Sequence, residues 1–260
     1  MEPCDLTAVE ARRQIGTGEL TSVELTTSCL ERIDAIDPAV NAMITRAGEQ
    51  ALASAAAADN TAPGGPLHGL PVAIKDLQPT ANLRTTYGSP NHADHVPDTD
   101  AGIVARIRAA GGIVIGKTNI PEFSIGANTV NPLFGATGNP FAVDLTCGGS
   151  SGGSAVAVST AMAPLATGSD HGGSLRIPAS YCGVVGFRAT PGVVPHELRN
   201  VTQTFYSVQG PMARTVEDTA LLLSVIAGRS RLDPMAFPLD AAALARLDPI
   251  DVEGLRVGVS

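Results

Sequence analysis

Short apolar runs bounded by glycine or proline alternate with helical segments along most of this chain. Val72-Ala73-Ile74 and Ile113-Val114-Ile115 are such runs, and both are typical of buried strands. Between them, residues 100–110 carry apolar side chains at helical spacing, and Gly111-Gly112 ends the pattern. Strands that are apolar on both faces form a sheet whose two faces must both be shielded from water. The sequence therefore predicts an α/β fold with a mixed central β-sheet covered by helices on both faces.

The first sixty residues differ from the rest of the chain. Residues 5–58 are predicted to be helical, with capping-box patterns at Thr7-x-x-Glu10 and Thr21-x-x-Glu24. A stretch rich in glycine and proline follows. We therefore predict an N-terminal helical layer, residues 1–60, and an α/β core, residues 61–260, within one structural domain.

Three later segments extend the α/β pattern. Small residues over 155–163 predict a helix that Pro164 stops, and Thr215-x-x-Asp218 predicts the start of another helix. Residues 255–259 predict a strand with no covering element after it. We therefore expect a fold that is incomplete at the C-terminus, in the front part of a longer protein.

Charge and composition exclude several classes of function. The formal net charge is −8, so a basic surface for nucleic acid is not expected. Aromatic residues are only 3%, with no Trp, which argues against stacking platforms for bases. No apolar run reaches the roughly 18 residues of a membrane span, and no secretory signal is recognisable. The four cysteines show neither disulfide nor metal spacing, so we expect a reduced, cytoplasmic protein.

Three motif matches point to other chemistry. Gly111-x-x-x-x-Gly116-Lys117-Thr118 fits the P-loop pattern, but its middle residues are the predicted strand and leave no open phosphate-binding loop. Gly149-Ser150-Ser151-Gly152-Gly153 fits a nucleophile elbow centred on Ser151. Such an elbow requires an acid and then a histidine downstream, and the one plausible pair, Asp170 and His196, lies unusually close to it in sequence. His92-x-x-His95 has metal-binding spacing, but its loop-like surroundings favour solvated side chains.

The segment 148–176 is the richest in candidate chemistry. Two Gly/Ser clusters, 148–154 and 168–174, flank the predicted small-residue helix. Glycine lets backbone N–H groups approach a ligand, and a serine hydroxyl attacks a carbonyl once a base takes its proton. Lys75 follows the buried strand 72–74 directly. Taken singly, flexible loops and a solvated lysine are the simpler interpretations.

Seven ordered stretches, taken together, change this interpretation. They are residues 69–76, 116–123, 131–135, 148–154, 168–178, 182–187 and 210–216. On these motifs the chain resembles the amidase signature family, over nearly its whole length from about Leu6. The resemblance implies the amidase-signature fold and hydrolysis of a carboxylic amide with neither metal nor cofactor. Family members are usually close to twice as long.

By motif position, the resemblance implies a Ser-Ser-Lys triad. Ser174 would be the nucleophile, Ser150 the bridging serine on a cis Gly149–Ser150 peptide, and Lys75 the base. Lysine is a base only when neutral, which requires a pKa lowered from about 10.4 toward 7–8, and burial has that effect. Neutral Lys75 would take a proton from Ser150, which takes one from Ser174.

The remaining site residues are also implied by motif position. The oxyanion hole would be built by the backbone N–H groups of His171, Gly172, Gly173 and Ser174. The predicted substrate contacts are Ser124 and Ser150. The predicted supporting residues are Ser151, Asp170 and Arg176, and for the last two we favour an ion-pair network that pins the nucleophile loop over substrate contact. His171 stands where the family usually carries a residue without a titratable ring.

Two alternatives to a free-standing amidase stay open. One is the amidase subunit of a glutamine-dependent tRNA amidotransferase, although residues 119–123 and 128–132 look more like free-standing amidases. The other is an inactive truncated remnant that serves as an interaction surface. The expected partner is a small-molecule amide; no contact with nucleic acid or membrane is expected, and a homodimer is left open.

Overall fold

The computed structural model describes residues 1–197, 204–248, 251–256 and 258. In that part of the chain the α-helices are α1 (Ala8–Thr17), α2 (Ser22–Val40), α3 (Gly48–Asp59), α4 (Gly102–Ala109), α5 (Gly152–Ser159), α6 (Arg176–Cys182) and α7 (Val216–Ile226). The strands are β1 (Met43–Arg46), β2 (Pro71–Lys75), β3 (Ile113–Thr118), β4 (Val130–Asn131), β5 (Gly135–Ala136), β6 (Gly138–Asn139), β7 (Ala142–Thr146), β8 (Leu165–Asp170), β9 (Val185–Gly186) and β10 (Val208–Ala213). None of the described helices is long and apolar enough to cross a membrane.

Six strands form one mixed sheet in the order β1-β3-β2-β8-β10-β9. β2 runs parallel to both β3 and β8, whereas β1, β10 and β9 are antiparallel to their neighbours. Every residue of β2, β3, β8 and β10 is buried. Because successive residues of a strand point to opposite faces, both faces of the sheet are covered, and the predicted α/β architecture is confirmed.

The helices start where the sequence supplies caps. Thr21 Oγ1 accepts the Glu24 N–H at 3.1 Å while the Glu24 carboxylate accepts the Thr21 N–H at 2.8 Å, a reciprocal capping box. Thr7 and Thr215 cap α1 and α7 through their own hydroxyls. α5 begins at Gly152 and ends at Ser159, so it lies earlier than the predicted 155–163.

The prediction that residues 5–58 are entirely helical is wrong at β1. The buried Asp37 carboxylate accepts the N–H groups of Ala42 and Met43 at 2.7 and 2.9 Å, which turns the chain out of α2. β1, which begins at Met43, then pairs with β3 at the sheet edge. The strand predicted at 255–259 lies partly outside the described residues, and Leu255 and Arg256 form no strand. The division of the chain near residue 60 stays a prediction.

Candidate active site

The carboxyl ends of two parallel strands and the start of α5 meet at one place. Lys75 is the last residue of β2, and Ser169 and Asp170 end β8. Because β2 and β8 are parallel neighbours, their carboxyl ends lie at the same edge of the sheet. Ser150 and Ser151 come directly before α5, which packs against both strands. The fold therefore brings a lysine and three serines together.

Lys75 lies at the centre of this group and is fully buried. Its Nζ is 2.8 Å from Ser150 Oγ, 2.9 Å from Ser151 Oγ and 2.8 Å from Ser169 Oγ. Burial disfavours the ammonium form and lowers the pKa of Lys75 from 10.5 to about 7, although the Asp170 carboxylate opposes this shift. A lysine with such a pKa carries a lone pair in a large fraction of molecules at neutral pH.

The three serines differ in their access to solvent. Ser150 and Ser169 line a cavity of about 1140 Å³, whereas Ser151 does not and is fully buried. Ser151 Oγ accepts the Ser169 N–H and donates to the Ser169 carbonyl, both at 3.2 Å. Ser151 is therefore enclosed between the lysine and β8, which argues against the nucleophile-elbow interpretation.

Ser174 lies on the wall of the same cavity, together with Ser124, His171 and Gly172. No hydrogen bond joins the hydroxyls of Ser174 and Ser150 in the described part of the chain. The structure thus joins Lys75 to Ser150 directly and brings Ser174 to the cavity that Ser150 faces. The Gly149–Ser150 peptide is cis, as the resemblance implied.

The predicted oxyanion hole needs one correction. The Gly173 N–H already donates to Asp170 Oδ1 at 2.8 Å, so it is not free to face a ligand. The N–H groups of His171, Gly172 and Ser174 have no hydrogen-bond partner among the described residues. Gly173 has a φ of 119°, a conformation that L side chains rarely adopt, so glycine is required there. Three of the four predicted donors remain available.

Asp170 anchors this loop from the buried side. Its carboxylate accepts the N–H groups of Gly173 and Leu175 and also binds Arg176 Nε at 2.9 Å and Arg188 Nη1 at 3.0 Å. Burial raises the pKa of the Asp170 carboxyl, but the bonds from Arg176, Gly173 and Leu175 outweigh burial and hold the pKa well below its ordinary value. The loop-pinning network that we favoured for Asp170 and Arg176 is present.

The other motif matches take structural places. Lys117 of the P-loop pattern is buried within β3. The rings of His92 and His95 both pack on Tyr87, with centroids 5.1 and 5.9 Å away, and His92 also lines the cavity. Among the described residues, no group of three or more His, Cys, Asp or Glu side chains is placed to hold a metal ion.

Sequence reasoning missed several residues of this site. Ser169 contacts the lysine, yet it fell within a segment interpreted as a flexible Gly/Ser loop. Thr167 accepts the Lys75 backbone N–H at 3.0 Å, and Gln78 bonds to Thr167 in turn at 2.5 Å. The only local indication was the short run Leu165-Ala166-Thr167 between a proline and a glycine, which is compatible with a strand.

The fold and the site together define an α/β protein with a buried lysine–serine centre at the wall of a large cavity. A family model described as Amidase matches residues 24–260. The chain belongs to the amidase family, in agreement with the signature motifs of its sequence.

Relatives of the chain include both amidotransferase subunits and amide hydrolases. The chain is 44% identical to a glutamyl-tRNA(Gln) amidotransferase subunit of Roseiflexus sp. (strain RS-1), over 98% of this chain and 53% of the relative. It is 38% identical to an acylamidase of Rhodococcus erythropolis, over 98% of this chain and 54% of the relative. Among solved structures, a bacterial aryl acylamidase of the amidase signature family matches with a TM-score of 0.86 and 32% identity, over 90% of this chain and 50% of that one. The chain thus spans about half the length of these relatives.

Proposed function

We propose that this chain carries the catalytic centre of an amidase that hydrolyses a linear carboxylic amide to an acid and an amine or ammonia. The observation that carries the proposal is the fully buried Lys75 amine, 2.8 Å from Ser150 Oγ. A buried lysine with a pKa of about 7 is able to act as a base near neutral pH. Membership of the amidase family supports the same reaction class.

The proposed reaction begins with a proton relay. Neutral Lys75 takes a proton from Ser150, and Ser150 takes one from Ser174 as the Ser174 oxygen attacks the amide carbonyl. The carbonyl π bond breaks as the new C–O bond forms, and the resulting oxyanion accepts hydrogen bonds from backbone N–H groups of the 171–174 loop. The relay then returns a proton to the leaving nitrogen as the C–N bond breaks. Water, deprotonated by the same relay, hydrolyses the acyl-enzyme.

The cavity is the proposed substrate site. Ser124 and Ser150 are the proposed substrate contacts, and both line it. His171, Gly172 and Ser174 are the proposed oxyanion donors. Ser151, Asp170 and Arg176 support them, the first beside the lysine and the other two beneath the loop. The relay as proposed uses only side chains, backbone and water.

We also propose a reducing, cytoplasmic setting for the protein. All four cysteines (Cys4, Cys29, Cys147 and Cys182) are buried free thiols. Such thiols are compatible with a compartment that keeps cysteine reduced.

A second candidate is the amidase subunit of a tRNA-dependent amidotransferase. The 44% identity to the Roseiflexus amidotransferase subunit favours it. Such a protein would release ammonia from glutamine for a partner. Purification with a partner protein, and glutamine as the only effective amide, would support this candidate over a free-standing amidase.

Serine labelling together with an amide panel tests the proposal. We expect wild-type protein to react with a fluorophosphonate probe, with the label on Ser174, and to hydrolyse at least one amide. Ser174→Ala removes both properties and Lys75→Met strongly lowers both, whereas Ser151→Ala keeps the label. Label on Ser151, or an active Ser174→Ala, contradicts the nucleophile assignment. A folded wild-type chain that neither reacts nor hydrolyses points to an inactive remnant.

A further inference from the structure

A second lysine, Lys117, is buried as completely as Lys75 and has no part in the proposed relay. It lies in β3, in parallel register with Ile74 of β2. Paired residues of neighbouring strands share a face, and successive residues alternate, so Lys117 and Lys75 project from opposite faces of the sheet. Lys117 does not line the cavity, so its amine does not meet a substrate there.

The groups around the Lys117 amine are hydrogen-bond acceptors. Its Nζ donates to the Gln78 carbonyl oxygen at 2.5 Å, to Thr85 Oγ1 at 2.9 Å and to Thr80 Oγ1 at 3.0 Å. Both threonine hydroxyls donate their own protons to backbone carbonyls at 3.1 Å, so toward Nζ they can only accept. Three acceptors match the three N–H bonds of an ammonium, and Asp76 Oδ1 lies 3.9 Å from Nζ.

The surroundings of Lys75 differ in part. Its three partners are serine hydroxyls; Ser151 donates its own proton to the Ser169 carbonyl and so accepts from Nζ, whereas the Ser150 and Ser169 hydroxyls can either donate or accept. Burial lowers the pKa of both lysines to about 7; Asp170 opposes this shift at Lys75, and Asp76 and Asp100 oppose it at Lys117. The Lys117 amine is thus held by acceptors alone, whereas two of the three partners of the Lys75 amine are able to donate as well as accept.

Gln78 connects the two lysines. Its carbonyl oxygen accepts from Lys117, and its N–H donates to the Lys75 carbonyl at 3.0 Å, closing the turn after β2. Its side-chain oxygen accepts from Thr167 Oγ1, which itself accepts the Lys75 backbone N–H. Leu77, Gln78 and Pro79 also line the cavity. The turn that Lys117 holds is therefore both the support of Lys75 and part of the cavity wall.

We propose that Lys117 is a positioning residue whose buried amine clamps the turn 76–80 and thereby keeps Lys75 in place and out of water. Without this clamp, the Gln78 carbonyl keeps only the Thr80 hydroxyl as a donor and the turn loosens, which admits water to the Lys75 amine. The inference rests on the proposed function for its kinetic readout, but the ionisation of Lys75 can be measured without any hydrolysis.

The test compares Lys117→Met with wild type in the full chain. Lysine labelled with ¹³C and ¹⁵N reports the Lys75 pKa by NMR titration, with the signal assigned by its loss in Lys75→Met. Hydration returns a buried lysine toward its ordinary pKa, so we expect a rise of at least about one in Lys117→Met. A rise of one from a pKa of 7 lowers the neutral fraction of Lys75 about 5-fold at pH 7 and hardly at all at pH 9. The kcat/KM loss should therefore shrink between pH 7 and pH 9.

Two further variants separate positioning from general instability. Thr80→Val keeps the lysine but removes one of its acceptors and one donor to the Gln78 carbonyl, so it should also raise the Lys75 pKa, by less than Lys117→Met does. Leu25→Ala creates a cavity in the core at a buried residue of α2 and should lower Tm. It should neither change the Lys75 pKa nor cause a pH-dependent loss of activity.

Each outcome decides between the proposals. A Lys75 pKa that stays within about 0.2 of wild type in both Lys117→Met and Thr80→Val overturns the inference, and Thr80→Val alone decides it if Lys117→Met does not fold. A wild-type Lys75 with an ordinary pKa overturns it as well. Wild type that hydrolyses no amide, while its Lys75 pKa rises in Lys117→Met, overturns the proposed function and supports the positioning role.

Discussion

At the scale of single residues, the site depends on how one amine is solvated. No carboxylate of the described residues lies within hydrogen-bond reach of Lys75, whose Nζ partners are serine hydroxyls. A nearby anion would stabilise the ammonium and abolish the base, whereas hydroxyls satisfy either protonation state. The buried charge that the site does contain, Asp170, is saturated by backbone N–H groups and arginines instead.

The pH dependence of catalysis tests the protonation of this amine. Because Lys75 must be neutral to accept a proton, kcat/KM should rise with pH, with a midpoint near 7, and fall about tenfold per unit below it. Steady-state kinetics from pH 5 to pH 9 on one amide measure the profile. Lys75→Arg, which keeps a permanent charge, should be inactive at every pH. A midpoint between about 4 and 5 would falsify the assignment of lysine as base and indicate a carboxylate.

Asp170 and Arg176 form an ion pair whose partners should differ greatly in importance. Asp170→Asn leaves arginine and backbone donors without a buried anion, so we expect a loss of about 3–5 kcal/mol in the free energy of unfolding. Arg176 has 56% of its side chain exposed, and Arg176→Ala should cost less than about 1 kcal/mol because Arg188 still binds the carboxylate. Urea denaturation of both variants measures the difference. Equal losses would mean that the pair, rather than the loop anchoring, stabilises the fold.

At the scale of elements, α5 must come unusually close to the strand ends, and its glycines permit this. Gly153 N–H donates to the Asn119 carbonyl at 3.2 Å. A Cβ on Gly153 would lie 2.6 Å from that same oxygen and 2.9 Å from the Ala42 carbonyl oxygen, both backbone atoms. The approach of this helix holds Ser150 and Ser151 against Lys75.

Two glycine-to-alanine variants with opposite expected signs test this close approach. Helix propensity alone favours alanine in a helix by about 0.5–1 kcal/mol. Gly16→Ala in α1 should show that gain, because its Cβ meets only the end of the Arg12 side chain at 3.2 Å. Gly153→Ala should instead destabilise by about 1–3 kcal/mol, with loss of activity, because backbone must move. Chemical denaturation compares the two variants. A stabilised Gly153→Ala would show that the structure accommodates a Cβ at this position of α5.

The sequence predicted elements better than it predicted their contacts. β2, β3, α4 and α7 follow from apolar runs, caps and glycine stops that are local in the chain. β1 was missed because four residues at a sheet edge give little pattern inside a helical region. Ser169 and Thr167 were missed for a different reason: their contacts with Lys75 depend on the pairing of β2 with β8 and join residues 94 and 92 positions apart. The triad positions came from the family motifs, since Lys75 taken singly was interpreted as a solvated side chain.

At the scale of the whole molecule, the buried amines oppose stability. An unfolded lysine keeps its proton up to about pH 10.4, whereas folded Lys75 gives up its proton near pH 7. Between these values the unfolded state binds more protons, so stability rises with pH. Below pH 7 the lysine is charged in both states, and the penalty of burying that charge is present in full. The fold thus tolerates a cost that a simple apolar core would avoid.

Lys75→Met should remove this dependence from the global stability curve. Wild type is expected to gain about 2 kcal/mol from Lys75 between pH 7 and pH 9, while the variant gains nothing from that position. Urea titrations at half-unit pH steps measure the difference in unfolding free energy, in which contributions common to both proteins, including Lys117, cancel. The window ends at pH 9 because burial raises the pKa of Cys147 to about 11 and of Cys182 to about 12. Above pH 9 the unfolded thiols lose protons that the folded ones keep, and stability falls. Parallel curves for the two proteins from pH 7 to pH 9 would mean that folded Lys75 keeps its proton, and the relay would then have no base.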